Sequence, residues 1–237
     1  MSFKEKNIII TGASKGIGRA LALQLAQQGA NLSLIARSKD ELKAVQTAAK
    51  QMGAKCLIFT GSVANEKLAQ KAVAETESTF GSVDFMINNA GFGIFGATDT
   101  YTAEAWSEVY DTNVKGTFLF SKAVLAGMKT QGSGHIINIA SDVAKRVFDG
   151  GSLYCSSKFA QDAFSAALRK EVRKHGIKVS VVYSGLVNTP FHTGSSSSDK
   201  ATWLTDEDMA NSIIFIMGQP KHVVIDELMI HPLSQDY

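Results

Sequence analysis

Short apolar runs such as Ile8-Ile9-Ile10 alternate along this chain with longer stretches whose apolar positions recur at helical spacing. The runs predict strands near Lys6–Thr11, Asn31–Ala36, Lys55–Thr60, Phe85–Asn88, His135–Ile139, Lys178–Tyr183 and Val223–Ile230. Between them the pattern predicts helices near Gly16–Gln28, Ser38–Met52, Asn65–Phe80, Thr102–Lys129, Leu153–His175 and Thr205–Met217. Two helix starts carry capping-box spacing, Ser38 with Glu41 and Thr205 with Asp208. Continuous apolar strands separated by helices imply a parallel sheet buried on both sides, because each crossover lays its helix on a sheet face. The expected fold class is α/β: a doubly wound parallel sheet of about seven strands with helices on both faces.

No linker divides the pattern, and α/β units of about 200–250 residues commonly share one core, so residues 1–237 are expected to form a single domain. The one low-complexity patch, Gly194-Ser195-Ser196-Ser197-Ser198-Asp199, follows the sixth strand. It reads either as a surface loop or, near 190–204 at a strand's carboxyl end, as a mobile substrate lid. His192 beside it reads as a loop residue.

The chain is 45% hydrophobic and 19% charged, which excludes a disordered chain. A net charge of +2 without a Lys/Arg stripe argues against nucleic acid as a partner. The first apolar run begins almost at the N-terminus, and no stretch approaches about 18 apolar residues, so a cytoplasmic protein without membrane contact is expected. Cys56 and Cys155 have neither CxxC nor metal-ligand spacing, so they read as semi-buried thiols and no metal is expected.

Chemistry enters at Thr11-Gly12-Ala13-Ser14-Lys15-Gly16-Ile17-Gly18, between the first strand and the first helix. The glycines permit a tight turn and close approach of backbone to a pyrophosphate, which the free N–H groups of the helix then face. At the end of the second strand, an NAD site needs a carboxylate for the ribose hydroxyl and an NADP site a cation. The chain has Ala36-Arg37-Ser38 there, with Lys15 inside the glycine turn, so NADP(H) is expected in preference to NAD(H).

Tyr154-Cys155-Ser156-Ser157-Lys158 sets a phenol and an ammonium four apart, on one face of a helix. A lysine about 4 Å away at an effective dielectric of about 20 contributes roughly 4 kcal/mol. At about 1.36 kcal/mol per pKa unit, that brings a phenol from about 10 to near 7, where proton transfer is most efficient. Asn88-Asn89-Ala90-Gly91 after the fourth strand, Asn113 in the long fourth helix and Ser141 after the fifth strand all fall near the strands' carboxyl ends.

Together, in this order, these motifs resemble the short-chain dehydrogenase/reductase family in its compact, Rossmann-like form, from Lys6 to about Thr189. The resemblance implies that Ser141 bonds the substrate carbonyl oxygen, Tyr154 donates its proton, and Lys158 lowers the tyrosine pKa while binding the nicotinamide ribose. It further implies that Asn113 anchors a water linking Lys158 to solvent. Cofactor contacts are implied at Gly12, Ser14, Lys15, Gly16, Ile17 and Gly18, at Arg37, Ser38, Ser62 and Val63, at Asn89, Ala90 and Gly91, and at Val187 and Thr189. Three positions depart from the family pattern: Ser62 replaces an aspartate near the adenine, Ser184-Gly185 replaces Pro-Gly, and the C-terminal stretch lacks a Gly-Gly-rich ending.

The expected function is reversible NADPH-dependent reduction of a small ketone or aldehyde to an alcohol. Phe92, Ile94, Phe95, Val143, Phe148, Leu186 and Phe191 are the expected substrate pocket, an apolar wall suited to a hydrophobic or aromatic carbonyl. The alternatives are NADP+-dependent oxidation of a small hydroxy compound, such as a hydroxy amino acid, or a weakly active NADP(H)-binding sensor. Family members assemble as dimers or tetramers through the long fourth and fifth helices, so a homodimer or homotetramer is expected, with Phe118, Leu119, Phe159, Phe164 and Leu168 compatible with the interface.

Overall fold

The computed structural model describes residues 3–191 and 200–236; the expected lid lies mostly outside them, as does His192. Seven strands form one wholly parallel sheet: β1 (Asn7–Thr11), β2 (Asn31–Ala36), β3 (Cys56–Thr60), β4 (Phe85–Asn88), β5 (Gly134–Ile139), β6 (Ile177–Ser184) and β7 (Glu227–Ile230). Their order is β3-β2-β1-β4-β5-β6-β7. The direction of winding therefore reverses between β1 and β4, which opens a crevice at the carboxyl ends of those strands.

Side chains alternate along each strand, so both faces are apolar. Ile8 and Ile10 pack with α1 (Gly16–Gln27), α2 (Lys39–Gln51) and the last helix, Asp206–Met217. Ile9 points the other way, into the layer formed by α3 (Glu66–Phe80), Gly116–Gln131 and Ser152–Val172.

The predicted single helix Thr102–Lys129 is broken. It becomes α4 (Ala103–Tyr110), one wide π-helical turn at Asp111–Lys115, and α5 (Gly116–Gln131). The amphipathic pattern runs through the break, but Asn113 in the wide turn bonds the backbone of Phe92 instead of facing the helix exterior. Beyond it lie α6 (Ser152–Val172) and α7 (Asp206–Met217). The Thr205–Asp208 capping box forms, whereas Ser38 occupies the N-cap of α2 without a side-chain cap bond. The strand predicted from Val223 begins only at Glu227, because Lys178 Nζ gathers the carbonyls of Gln219, Pro220 and Val223 into a turn. Among the residues expected at an interface, Leu119 and Leu168 belong to the core, and Phe118 and Phe159 are exposed. Among the described residues, no helix is long and apolar enough to cross a membrane.

One buried polar pair in the sheet makes a pH prediction. His135 Nε2 lies 2.7 Å from Ser180 Oγ, and that hydroxyl donates to Ile225 O, so the imidazole carries its proton on Nε2. Burial, reinforced by the charge of Lys178, holds its pKa down to about 3. The unfolded chain gains this proton below about pH 6.5 and the folded chain does not, so stability falls with acidification. The expected loss from this group is about 2 kcal/mol between pH 7 and pH 5. Urea unfolding at the two pH values should show it, with a shallower acid slope in His135→Gln.

Candidate active site

At the carboxyl ends of β1, β2, β4, β5 and β6 lies a cavity of about 650 Å³. One end is the turn after β1. Gly12 and Gly16 have φ of +65° and +54°, and a Cβ on Gly12 would come within 2.9 Å of Ala90 Cα. The turn is held from the neighbouring strand: Asn89 Nδ2 donates to Thr11 O (3.0 Å) and Gly12 O (3.2 Å), and Thr11 Oγ1 accepts from the amides of Asn89 and Ala90. Ser14, Lys15, Gly16 and Ile17 line the cavity from this turn, Arg37 and Ser38 from the end of β2, and Ser62 and Val63 from the end of β3. Asn89, Ala90 and Gly91 line it from beyond β4, and Val187 and Thr189 from beyond β6. Arg37 stays exposed, 3.5 Å from Glu108 and with its guanidinium 5.8 Å from the Phe92 ring centroid. Ser62 Oγ accepts from Ala64 N, a local turn in place of the charge that an aspartate would supply.

Gly18, expected as a cofactor contact, does not line the cavity. It lies under the turn, where a Cβ would stand 2.4 Å from Gly12 O and 2.6 Å from Asn89 Nδ2. Its lack of a side chain lets α1 close against the loop.

At the other end, Ser141, Tyr154 and Lys158 face the same space. Ser141 and Tyr154 stand side by side, and Phe95 and Phe191 flank the Tyr154 ring at centroid distances of 5.4 Å and 5.5 Å. Phe92, Phe95, Val143, Phe148, Leu186 and Phe191 line the cavity; Ile94, expected with them, is half-buried and does not line it.

The electrostatics differ from the sequence expectation. Burial raises the Tyr154 pKa above its ordinary value, the nearby Ser141 hydroxyl lowers it less, and the neighbouring carboxylate of Asp142 adds to the rise. Burial also brings Lys158 down to about 7. Spacing alone supplies the attraction between ammonium and phenolate, but desolvation disfavours both charges and wins here. Lys158 Nζ is 5.8 Å from the Tyr154 ring centroid and donates to Ile139 O (3.1 Å) and Gln161 Oε1 (3.0 Å).

Asn113 is fully buried and does not line the cavity. Its side chain bonds both backbone groups of Phe92 and donates to Ser157 Oγ. Asn113 and Lys158 are linked through protein: Gln161 Nε2 donates to Thr117 Oγ1, which donates to Asn113 O. Gln161 and Thr117 escaped the sequence reading, although Gln161 stands three residues after Lys158 on the same helix face. Asp142, Arg146 and Gln235 also line the cavity without any sequence motif to mark them.

A glycine cradle at a helix start, two cations at the ends of adjacent elements and a Ser–Tyr–Lys group across one crevice define a dinucleotide-dependent oxidoreductase. The sequence model described as short chain dehydrogenase matches residues 6–200. The chain belongs to that family. An uncharacterized oxidoreductase of Staphylococcus aureus is 33% identical over 229 residues, covering 97% of this chain and 98% of its own. Among solved structures, an alcohol dehydrogenase from the archaeon Thermococcus sibiricus complexed with 5-hydroxy-NADP superposes with a TM-score of 0.91 at 29% identity, covering 98% of each chain. A serine dehydrogenase complexed with NADP+ has a TM-score of 0.88 at 26% identity, covering 97% of this chain and 96% of that one.

Proposed function

We propose that the protein is an NADPH-dependent reductase of hydrophobic or aromatic carbonyl compounds, working reversibly. The observation that carries this reading is the shared cavity: Ser141, Tyr154 and Lys158 line one end, and the glycine turn with Lys15 and Arg37 the other. The cradle of Gly12 and Gly16 fits a pyrophosphate against the start of α1, with Lys15 and Arg37 available to a 2′-phosphate. The dinucleotide, when bound, supplies the hydride to the carbonyl carbon. The protein's own work is to orient the carbonyl and protonate its oxygen. A phenol with a raised pKa stays protonated at neutral pH, which is the state a proton donor needs. Ser141 bonds the same oxygen, and Lys158 holds the ribose. Phe95 packs against Phe148 and Phe191, and the three rings offer an aromatic surface to the substrate.

A second reading, NADP+-dependent oxidation of a small hydroxy compound, is supported by Lys158. With a pKa near 7, it can take up a proton that Tyr154 receives from an alcohol. The exposed rings of Phe118 and Phe159, on α5 and α6, support assembly into a homodimer or homotetramer through these helices.

The test is consumption of NADPH with a panel of diketones, quinones and aromatic aldehydes, run beside oxidation of the corresponding alcohols with NADP+. Turnover in neither direction overturns the reductase reading and leaves a binding protein. Arg37→Asp should lower the NADPH/NADH preference by about 10- to 100-fold, because a charge-assisted phosphate contact is replaced by repulsion. An unchanged ratio of kcat/KM values would remove Arg37 from the phosphate site.

A further inference from the structure

Beside the Ser141 hydroxyl lies a charged cluster drawn from several parts of the chain. Asp142 is 3% exposed and lines the cavity. Its Oδ1 accepts from Ser141 Oγ (3.0 Å); its Oδ2 accepts from Arg146 Nε (2.9 Å), Arg146 Nη2 and Gln235 Nε2 (2.8 Å), with His231 Nε2 at 3.4 Å. Gln235 follows β7 and reaches back into the site, where its Oε1 accepts from the amide of Leu186 (2.7 Å) in the loop after β6. The segment can lie there because residue 185 is glycine. A Cβ at that position would meet Gln235 Oε1 at 2.3 Å and His231 Cδ2 at 2.6 Å. An unbroken hydrogen-bonded chain thus runs from Leu186 through Gln235 and Asp142 to Ser141.

We infer that Gln235 and Asp142 are positioning residues for the reaction, with the segment after β7 setting the direction of the Ser141 hydroxyl through the Asp142 carboxylate. The inference rests on the oxidoreductase reading of Ser141 and Tyr154. A serine hydroxyl has one proton to give. Here that proton is shared between Asp142 Oδ1 and, at 3.3 Å, Ser184 O, so Ser141 must turn away from both to donate to a substrate oxygen. An ionised carboxylate outcompetes a ketone as an acceptor unless its charge is already spread over other donors. Arg146 and Gln235 provide that spreading and leave Ser141 free to turn. Loss of the Gln235 donor fixes the serine on the carboxylate and strengthens the negative charge beside Tyr154.

The charged and titratable groups around Asp142 are Arg146 on its own turn, Tyr154 and Cys155 from α6, and His231 from the segment after β7. Asp142→Asn removes negative charge at this point and Gln235→Glu adds it. The measurement is the pH profile of kcat/KM for alcohol oxidation with NADP+, in which Tyr154 must first lose its proton. The acid limb should move to lower pH in Asp142→Asn and to higher pH in Gln235→Glu, each by about 0.5 pH unit or more. In Gln235→Glu, kcat should fall about 10-fold, with NADPH affinity within about 2-fold of the parent. Loosened packing would lower both rates without moving the limbs in opposite directions, and coincident limbs overturn the inference. Hydrogen exchange at the Leu186 amide gives a readout independent of turnover. It should speed up about 10-fold in Gln235→Leu, which loses the acceptor, and much less in Gln235→Glu, which keeps it. Equal exchange in all three proteins refutes the Gln235 link, whereas a parent enzyme without turnover refutes the reductase reading alone.

Discussion

Tyr154→Phe is expected to lower kcat by about 10³-fold while changing NADPH affinity and melting temperature little. The substitution deletes one oxygen atom. The ring keeps its edge contact with Phe95 and its tilted contact with Phe191, so the aromatic wall survives. Ser141 keeps Asp142 and Ser184 O as partners, so it is not left unpaired. What disappears is the only phenol that lines the cavity among the described residues. Stopped-flow and steady-state rates with a working carbonyl substrate would decide the matter. Turnover near that of the parent would mean that the proton comes from elsewhere.

Gly18→Ala should have a comparably large effect by a wholly different route. The glycine has no positive φ to protect, so the backbone could accept alanine. The obstacle is the 2.4 Å approach of a Cβ to Gly12 O, with Asn89 Nδ2 at 2.6 Å behind it. Neither obstacle can yield cheaply: one is backbone of the cofactor turn, and the other is the amide that holds this turn to β4. Overpacking of this kind costs about 1–3 kcal/mol, which in a chain of this size corresponds to a fall in melting temperature of roughly 3–10 °C. Because the displaced atoms form the cradle, NADPH affinity should drop by about 10-fold or more, as read by calorimetric titration. An unchanged melting temperature together with unchanged affinity would show that the turn relaxes around the methyl group.

Much of this arrangement was legible in the sequence because its signals are local. An apolar, β-branched run such as Ile8-Ile9-Ile10 followed by a glycine turn suits a strand buried on both faces, and the glycine turn and Ser141 follow directly on strand ends, with the Tyr154–Lys158 pair on the next helix. The rest depends on relations that spacing does not encode. Asn113 looked like a mid-helix residue because one extra residue in the wide turn leaves the amphipathic pattern almost intact. Ile94 is apolar and adjacent to pocket residues, yet it does not line the cavity. The rise in the Tyr154 pKa reflects burial, which a Coulomb estimate from sequence spacing leaves out. Asp142 and Gln235 are 93 residues apart, and neither belongs to a motif, so only the folded chain brings them together.

The placement of β1 at the centre of the sheet has a cost in time. Ile8, Ile9 and Ile10 are wholly buried, and β1 reaches its second neighbour only when β4 pairs with it. Asn89, which clasps the carbonyl of Thr11, follows 78 residues later. At a synthesis rate of about 5–20 residues per second, the nascent chain carries an unfinished β1 edge for about 4–16 s. Throughout that interval a strand of three consecutive isoleucines stands ready to pair with the wrong partner, so the yield of folded enzyme should depend on how well ribosome-associated chaperones shield the stretch from β1 to Asn89.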